Sequence, residues 1–500
     1  MSRSPRALSV LWLIPSILVG CQSAPTPSID PLHPVPPEWA GARVGMVGDR
    51  SEAPFVWWEH FEDPDLAGLI EEALRGQPSL WALAARVTAA SAALDGAGAR
   101  KWPELTGSLN AGRQRQNFIG IDIPGTGGVL SSTSTSFGAS LAARWEVDLW
   151  GRLSASEQIA AESYRATVSD LAALRLSLSG QVAIAWFSLI ESARQVTLAE
   201  DIRDRWRAAE ERIAVRAREG LVGTLDLRLT RSERARAEAD FVVAQGRLGD
   251  ARRALELLLG RYPAEELAAR ETLPSIGKEI PIGMPASVLA RRPDLIAARA
   301  RLGSAAADRD RAEADLWPQL VLTGSGGRLS EELSDLLDGD FSVWSLAAGL
   351  VGPLFDHGRR RAEVDAASAR QTEAEARFAS LVLDACAEVE GALRAETHLA
   401  EQEARLAEFR AETESARAVA TDQYALGLID ILALLAAERN AASAEGRVLV
   451  VERERLENRV RLLIALGGAM PTREPGPTRE SGPTPDLELG SQTPREENAP

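Results

Sequence analysis

The sequence predicts a mixed α and β chain, built by internal duplication, that supplies four strands to a trimeric 12-stranded transmembrane β-barrel. The barrel continues into a long α-helical coiled-coil tube. Three observations carry this reading: a repeat covering most of the 500 residues, paired segments of alternating polarity, and helical stretches far longer than globular domains use.

The repeat comes first. Gln77-Pro78-Ser79-Leu80 is similar to Arg292-Pro293-Asp294-Leu295, and Trp102-Pro103-Glu104-Leu105 to Trp317-Pro318-Gln319-Leu320, both 215 positions apart. Gly151-Arg152 matches Gly358-Arg359, Gly220-Leu221 matches Gly427-Leu428, and Gly260 matches Gly467, all at an offset of 207. The offset falls by eight between Pro103 and Gly151, which places an eight-residue insertion in the first copy. Two constant offsets over so many positions point to duplication. The copies are read as 57–270 and 271–470, preceded by residues 1–20 and 21–56 and followed by 471–500.

Each copy opens with an Ala-, Leu-, Arg- and Glu-rich helical segment, Asp65 to Ala99 and Pro293 to Leu316. Two strands follow. In the first copy Phe137, Ala139, Leu141, Ala143, Trp145 and Val147 alternate with small or polar residues; in the second, Trp344, Leu346, Ala348 and Leu350 do so. Their hairpin partners are expected at about Leu105 to Arg113 and Gln319 to Gly327. Segments of roughly 9–11 residues suit tilted barrel strands in a bilayer, and Trp145 and Trp344 are candidates for its interface. Alternation alone fits a soluble antiparallel sheet equally well.

Helix length breaks the tie. Arg152 to Glu219 contains no proline and one glycine, enough for a rod of about 100 Å at 1.5 Å per residue. Its apolar stripe runs Leu171, Leu174, Leu178, Val182, Ala185, then Ile202, Trp206, Ala209, Ile213; Phe378, Leu381, Ala385, Val389 and Ala392 repeat the first part. Such a seam needs a partner helix, and Asp226 to Leu259 and Asp430 to Leu466 supply one in each copy. Four strands cannot close a barrel, and lipid does not tolerate an open edge. A homotrimer supplies twelve strands and arranges the helical hairpins as a tube.

Residues 1–20 read as an export signal: Arg3 and Arg6 precede an apolar run, Ala7 to Val19, too short to span a bilayer. Leu18-Val19-Gly20-Cys21 resembles a bacterial lipobox. That resemblance implies cleavage before Cys21, a diacylglyceryl thioether on its sulfur and an acyl chain such as palmitate on its nitrogen. Multiple chains give stable anchoring. Pro25 to Pro37 reads as an extended tether, and the Pro-, Gly-, Thr- and Glu-rich stretch after Met470 as a disordered tail.

Composition excludes several functions. A net charge of −16 and a pI near 5.0 argue against nucleic-acid partners. Two cysteines cannot form a disulfide framework or a four-cysteine zinc site, and His33, His60, His357 and His398 lack metal-ligand spacing. No phosphate loop, His–carboxylate cluster or nucleophile elbow is found, so an enzyme is not expected; nor is any metal or cofactor beyond the lipid on Cys21.

The motifs Trp57-Trp58, Phe61-Glu62-Asp63-Pro64-Asp65-Leu66, Leu289-Ala290-Arg291-Arg292-Pro293-Asp294-Leu295, Tyr424-Ala425-Leu426-Gly427 and Ala465-Leu466-Gly467-Gly468 occur in order on this doubled layout. With the lipobox, they resemble the outer-membrane efflux protein family of TolC and OprM, in the lipoprotein branch with OprM and NodT. The resemblance implies a trimer in the Gram-negative outer membrane with a long periplasmic helical tunnel. A periplasmic adaptor and an inner-membrane pump, of the RND type, would be its partners. It implies adaptor-contacting tips at Gly220, Val222, Gly223, Thr224, Gly427 and Leu428, where glycine turns also end one helix and Thr224 would cap the next. It implies a periplasmic gate in which Leu432 holds the leucine position, while Ala436 stands where relatives carry aspartate. Asp430, Glu438 and Arg439 lie nearby and Asp226 matches the first-copy tip, so the gate is expected to rest more on apolar packing than on an acidic ring. The implied work is passive conduction. A protein-secretion duct and a non-conducting lipid-anchored coiled-coil spacer are the alternatives.

Overall fold

The computed structural model describes residues 39–41, 56–118, 130–275, 280 and 285–468. The signal segment, Cys21, the Pro25–Pro37 tether and the C-terminal tail lie outside the described residues. Helices α1 (Pro64–Gly76) and α2 (Pro78–Ala99) lead to strands β1 (Glu104–Phe118) and β2 (Leu130–Val147), then to the hairpin α3 (Arg152–Arg218) and α4 (Thr224–Leu258). The second copy repeats the order with α5 (Pro285–Arg291), α6 (Pro293–Ala314), β3 (Gln319–Ser330), β4 (Ser342–Val351), α7 (Arg359–Ala425) and α8 (Ile431–Ala465).

The duplication is visible in the backbone. Among the described residues, the glycines with positive φ are Gly151, Gly220, Gly260, Gly358, Gly427 and Gly467, three pairs spaced by 207. Only the 67-residue length of α3 and α7 is needed to make each about 100 Å long. The stripe of small and apolar residues on α3 packs as expected, with Leu171, Leu178, Val182, Trp206 and Ile213 buried.

Two expectations need correction. The segment from Asp65 to Ala99 is not one helix: it breaks at Gln77, because Pro78 has no N–H to continue the ladder and holds its predecessor extended. Pro293 does the same between α5 and α6, where Arg292 is extended. Both break points carry one device. Gln77 Nε2 donates to the carbonyls of Leu257 and Leu258 at 3.3 Å each, and Arg292 Nη1 to the carbonyl of Ala465 at 3.3 Å. Each thus satisfies open carbonyls at the end of its hairpin's return helix. The second correction concerns the first pair of strands, which are 15 and 18 residues long rather than 9–11, because the polar Ser/Thr/Gln/Arg stretch beyond Arg113 and Ser136 stays paired.

The apolar interior falls into two clusters. The larger joins the middles of α3 and α7 to α1 and the ends of α4 and α8, around Trp57, Phe187, Leu189 and Leu255. The motif around Trp57 and Asp63 sits here: Trp57 Nε1 donates to Ser179 Oγ at 3.1 Å, and Asp63 caps α1 while accepting from Trp186 Nε1 at 3.0 Å. Trp39 is buried in the same cluster, and the amides of Ala40 and Gly41 donate to the Glu390 carboxylate at 2.6 and 2.7 Å. The smaller cluster, at the far tips, unites Trp206, Ile213 and Ala237 of the first hairpin with Ala420, Tyr424, Ile431, Leu434 and Leu435 of the second. No residue of α7 between 394 and 419 is buried.

Candidate functional site: a membrane wall and a latched tip

The four strands form one antiparallel sheet in the order β1-β2-β3-β4. Its register decides the chemistry of each face, because directly paired residues share a side. Leu105 pairs with Ala143, Leu109 with Ala139, Trp145 with Leu322, Gly326 with Trp344, Gly324 with Leu346 and Leu320 with Leu350. Every leucine and tryptophan of this set lies on one face. The other face carries Thr106, Ser108, Asn110, Ser140, Ser325 and Ser345, with Ser108 Oγ 2.9 Å from Ser140 Oγ and Ser325 Oγ 2.8 Å from Ser345 Oγ. Glu104 and Arg144 pair across this polar face.

The apolar face is unsupported within the chain: Leu109, Trp344 and Leu346 are 84%, 82% and 80% exposed. It runs from Val147 up to Phe137, ten residue steps along β2. At the usual rise this is about 33 Å of strand, which a 40° tilt projects onto about 25 Å, the height of a lipid-facing belt.

Trp145 and Trp344 both lie on that face, but at different heights. Trp145 stands at the helix-side end, its Nε1 donating to the Lys101 carbonyl at 2.8 Å. Trp344 sits four register rows further out. The helix-side end also holds aromatics that alternation did not point to. Trp150 and Trp317 stack with centroids 5.0 Å apart, Trp150 Nε1 donates to the Pro318 carbonyl at 2.7 Å, and Trp102 is 74% exposed. The duplicated Trp-Pro motif was the signal for Trp102 and Trp317, and Trp150 had none. The junction below is charged: Arg152 makes a bidentate pair with Glu146 and reaches Asp315 at 3.7 Å, and Lys101 meets Glu157 at 2.6 Å. Asp148 caps α3 through the amides of Leu153 and Ser154. Partial burial pushes its carboxyl up, but those amides and the Ser154 hydroxyl together hold it below the ordinary aspartate value.

At the opposite end each hairpin turns through a glycine with φ near +75°, Gly220 and Gly427. The following amides close the turns, Leu221 N to Arg216 O at 2.8 Å and Leu428 N to Gln423 O at 2.9 Å. Thr224 does not cap α4. Gly223 occupies the cap position without a side-chain bond, and Thr224 is the first helical residue. In the second copy Asp430 is the cap, accepting from Ala433 N at 2.9 Å, so its carboxylate is committed to α8. Val222 packs against the tip cluster, whereas Gly220, Gly223, Thr224, Gly427 and Leu428 face outward. Leu221 and Leu225 have Leu428 and Leu432 as their duplicates, and all four are 60–69% exposed.

Leu432, Ala436 and Arg439 form one exposed face of α8, spaced by four and three residues. Arg439 is also paired with Glu233, a buried carboxylate on α4. Asp226 takes part in a second link between hairpins, accepting from Tyr424 Oη at 3.4 Å. Arg216 donates to the carbonyls of Tyr424 and Ala425 and lies over the Tyr424 ring, 5.6 Å from its centroid. Burial, reinforced by the Asp226 charge, pushes the Tyr424 phenol above its ordinary range. Arg205 and Arg417 approach Glu438 at 4.0 and 3.7 Å. The structure thus ties α8 and the end of α7 to the first hairpin through Tyr424, Glu233 and Glu438. The sequence marked Tyr424 only as part of a motif and did not mark Glu233, and neither link was read from it, because the partners lie about 200 residues apart. Among the described residues, no group of three His, Cys, Asp or Glu side chains is placed to hold a metal ion.

A one-sided sheet, a rod of about 100 Å and a tip where cross-hairpin contacts join the two hairpins describe a chain suited to a membrane conduit. The family of outer membrane efflux proteins matches residues 69–261 and 284–468, and the chain belongs to it. It is an outer-membrane protein of the efflux channel type. It is 31% identical over 480 residues to the pyoverdine export outer membrane protein OpmQ of Pseudomonas putida, covering 94% of this chain and 99% of that one. Over 459 residues it is 27% identical to the cation efflux system protein CusC of Escherichia coli K12, covering 90% and 97%. The solved outer-membrane channel OprN superposes with a TM-score of 0.79 at 28% identity, over 87% of this chain and 97% of that chain.

Proposed function

We propose that three copies close their sheets into a 12-stranded barrel and their helical hairpins into a periplasmic tunnel, forming the passive exit duct of a tripartite efflux system. The observation that carries this reading is the register: it puts Leu105, Leu109, Leu141, Trp145, Leu320, Leu322, Trp344, Leu346 and Leu350 on one face, and Thr106, Ser108, Asn110, Ser140, Ser325 and Ser345 on the other. The apolar face meets lipid and the polar face lines water. Both outer strands, β1 and β4, have an unpaired edge, and joining β4 of one copy to β1 of the next removes every edge.

An acylated Cys21 would anchor each copy from the same membrane. The exposed leucines of the two tips offer apolar contacts to an adaptor's helical hairpin, with the pump behind it supplying the energy. Adaptor contact opens the duct only by favouring a state in which the Tyr424–Asp226 and Arg439–Glu233 links are broken. No bond is made or broken in the cargo. Relatives named for pyoverdine export and for cation efflux align along nearly their whole length, which fits a shared wall whose cargo is chosen by the pump.

The test is the lipidated full chain in planar bilayers, with its mass measured in detergent. Trimers that insert and conduct, with conductance rising when the tip links are removed, support the duct. Monomers, or trimers that leave the bilayer insulating with the links removed, overturn it.

A further inference from the structure

The duplication supplies an internal comparison at the sheet–helix junction. In the first copy Arg152, at the start of α3, is neutralised by Glu146 and Asp315. Its duplicate Arg359 opens α7 in the run Arg359-Arg360-Arg361. Arg360 is engaged, meeting the Asp315 carbonyl and the Asp356 carboxylate. Arg359 and Arg361 are exposed, and no carboxylate of the described residues pairs with either. Immediately before them Leu354 is fully exposed and Phe355 is 79% exposed, its ring 4.4 Å from that of His357.

Large bare apolar side chains followed by two unpaired cations form a surface with two chemistries in one place. It continues the apolar face of β4, which ends at Leu350 a few residues earlier. It also lies at the end of the sheet marked by Trp145, Trp150 and Trp317. From charge complementarity and this continuity, we propose that Leu354, Phe355, Arg359 and Arg361 form a docking site for an anionic phospholipid of the inner leaflet. Leu354 and Phe355 enter the boundary between headgroups and acyl chains, and Arg359 and Arg361 pair with headgroup phosphates. The first copy has no such site, because Glu146 and Asp315 already hold Arg152. Each chain therefore carries one site, in its second repeat.

The inference rests on the membrane reading of the sheet, so the experiment separates the two. The lipidated chain is reconstituted in nanodiscs of phosphatidylcholine alone or of phosphatidylcholine with phosphatidylglycerol, and retained phosphatidylglycerol is counted after mild extraction by native mass spectrometry. The wild-type chain is expected to retain phosphatidylglycerol. Arg359→Gln and Arg361→Gln should each weaken retention about fivefold, the equivalent of ~1 kcal/mol per basic residue at an anionic surface. Insertion into phosphatidylcholine should be unchanged. In a Phe355→Trp variant the new fluorescence, taken as the difference from wild type, should be quenched by lipid brominated near the headgroup. Equal retention by wild type and the double variant overturns the site, as does a Trp at 355 shielded by a neighbouring copy. Failure of the wild type to enter either nanodisc would instead remove the membrane reading beneath it.

Discussion

Tyr424 shows how a single side chain couples the two hairpins. Its hydroxyl donates to Asp226, its ring lies under Arg216, and its phenol is pushed above the ordinary tyrosine range by burial and by the Asp226 charge. A raised folded value means that the protonated link is fully present below pH 10 and is lost as pH rises through the raised value. Removing the hydrogen bond in Tyr424→Phe should shift the closed–open balance by about 1 kcal/mol, roughly fivefold in single-channel open probability. It should also erase any alkaline step in that probability. Arg439→Ala acts differently, because it leaves the buried Glu233 carboxylate unpaired. Its leak should exceed that of Tyr424→Phe, and the added change Glu233→Gln should recover most of the closed state. The sequence marked the tip through its glycine turns and Leu432, but not these links. Periodicity reports which face of a helix is buried, not which residue of a distant helix lies opposite.

At the scale of elements, the sheet tolerates side chains unequally. A Cβ on Gly327 would lie 2.3 Å from the Ala139 carbonyl oxygen and 2.7 Å from Ser140 Cα, whereas a Cβ on Gly326 meets nothing within 4 Å. Gly327→Ala should therefore separate β2 from β3 and prevent recovery of folded, heat-modifiable protein from membranes, while Gly326→Ala should be recovered like wild type. Strand existence, hairpin pairing and face were legible, because alternation of Leu and Trp with Ser, Thr and Gly has a period of two and one face must be apolar. Strand length was not. The Ser131–Ser136 stretch has no apolar partner to mark it, yet its backbone pairs with residues 112–117 through the ladder alone. Proline acts in the opposite direction: Pro293 starts α6 where the second helical segment was expected to begin, whereas Pro78 sits at the first position of a new helix inside the segment from Asp65 to Ala99.

For the whole molecule, closure between copies imposes a parity that can be tested. The apolar face carries odd-numbered residues of β1 and even-numbered residues of β4. In a Cys386→Ser background, cysteines at an odd β1 position and an even β4 position, such as Leu109→Cys with Leu346→Cys, belong to one face. Scanning such pairs should yield disulfide-linked trimers at some register, while pairs of mixed parity should never cross-link. The duplication was legible at this scale and the three paired glycine turns bear it out, since a backbone φ of +74° to +84° at these six positions is one that glycine adopts without steric cost. The division of the interior into two apolar clusters was not, because the stripe on α3 reads as one seam from Leu171 to Ile213. That division has a mechanical consequence. Between the clusters α7 buries no residue from 394 to 419, although α8 keeps Ala444, Val448 and Val451 buried beside it, so this part of α7 can loosen while the membrane-proximal body keeps its shape. Deuterium uptake should accordingly be quicker over residues 394–419 than around Phe187, with heating resolved into two steps. Substitutions near Tyr424 would then retune opening without touching the part of the molecule that lives in lipid.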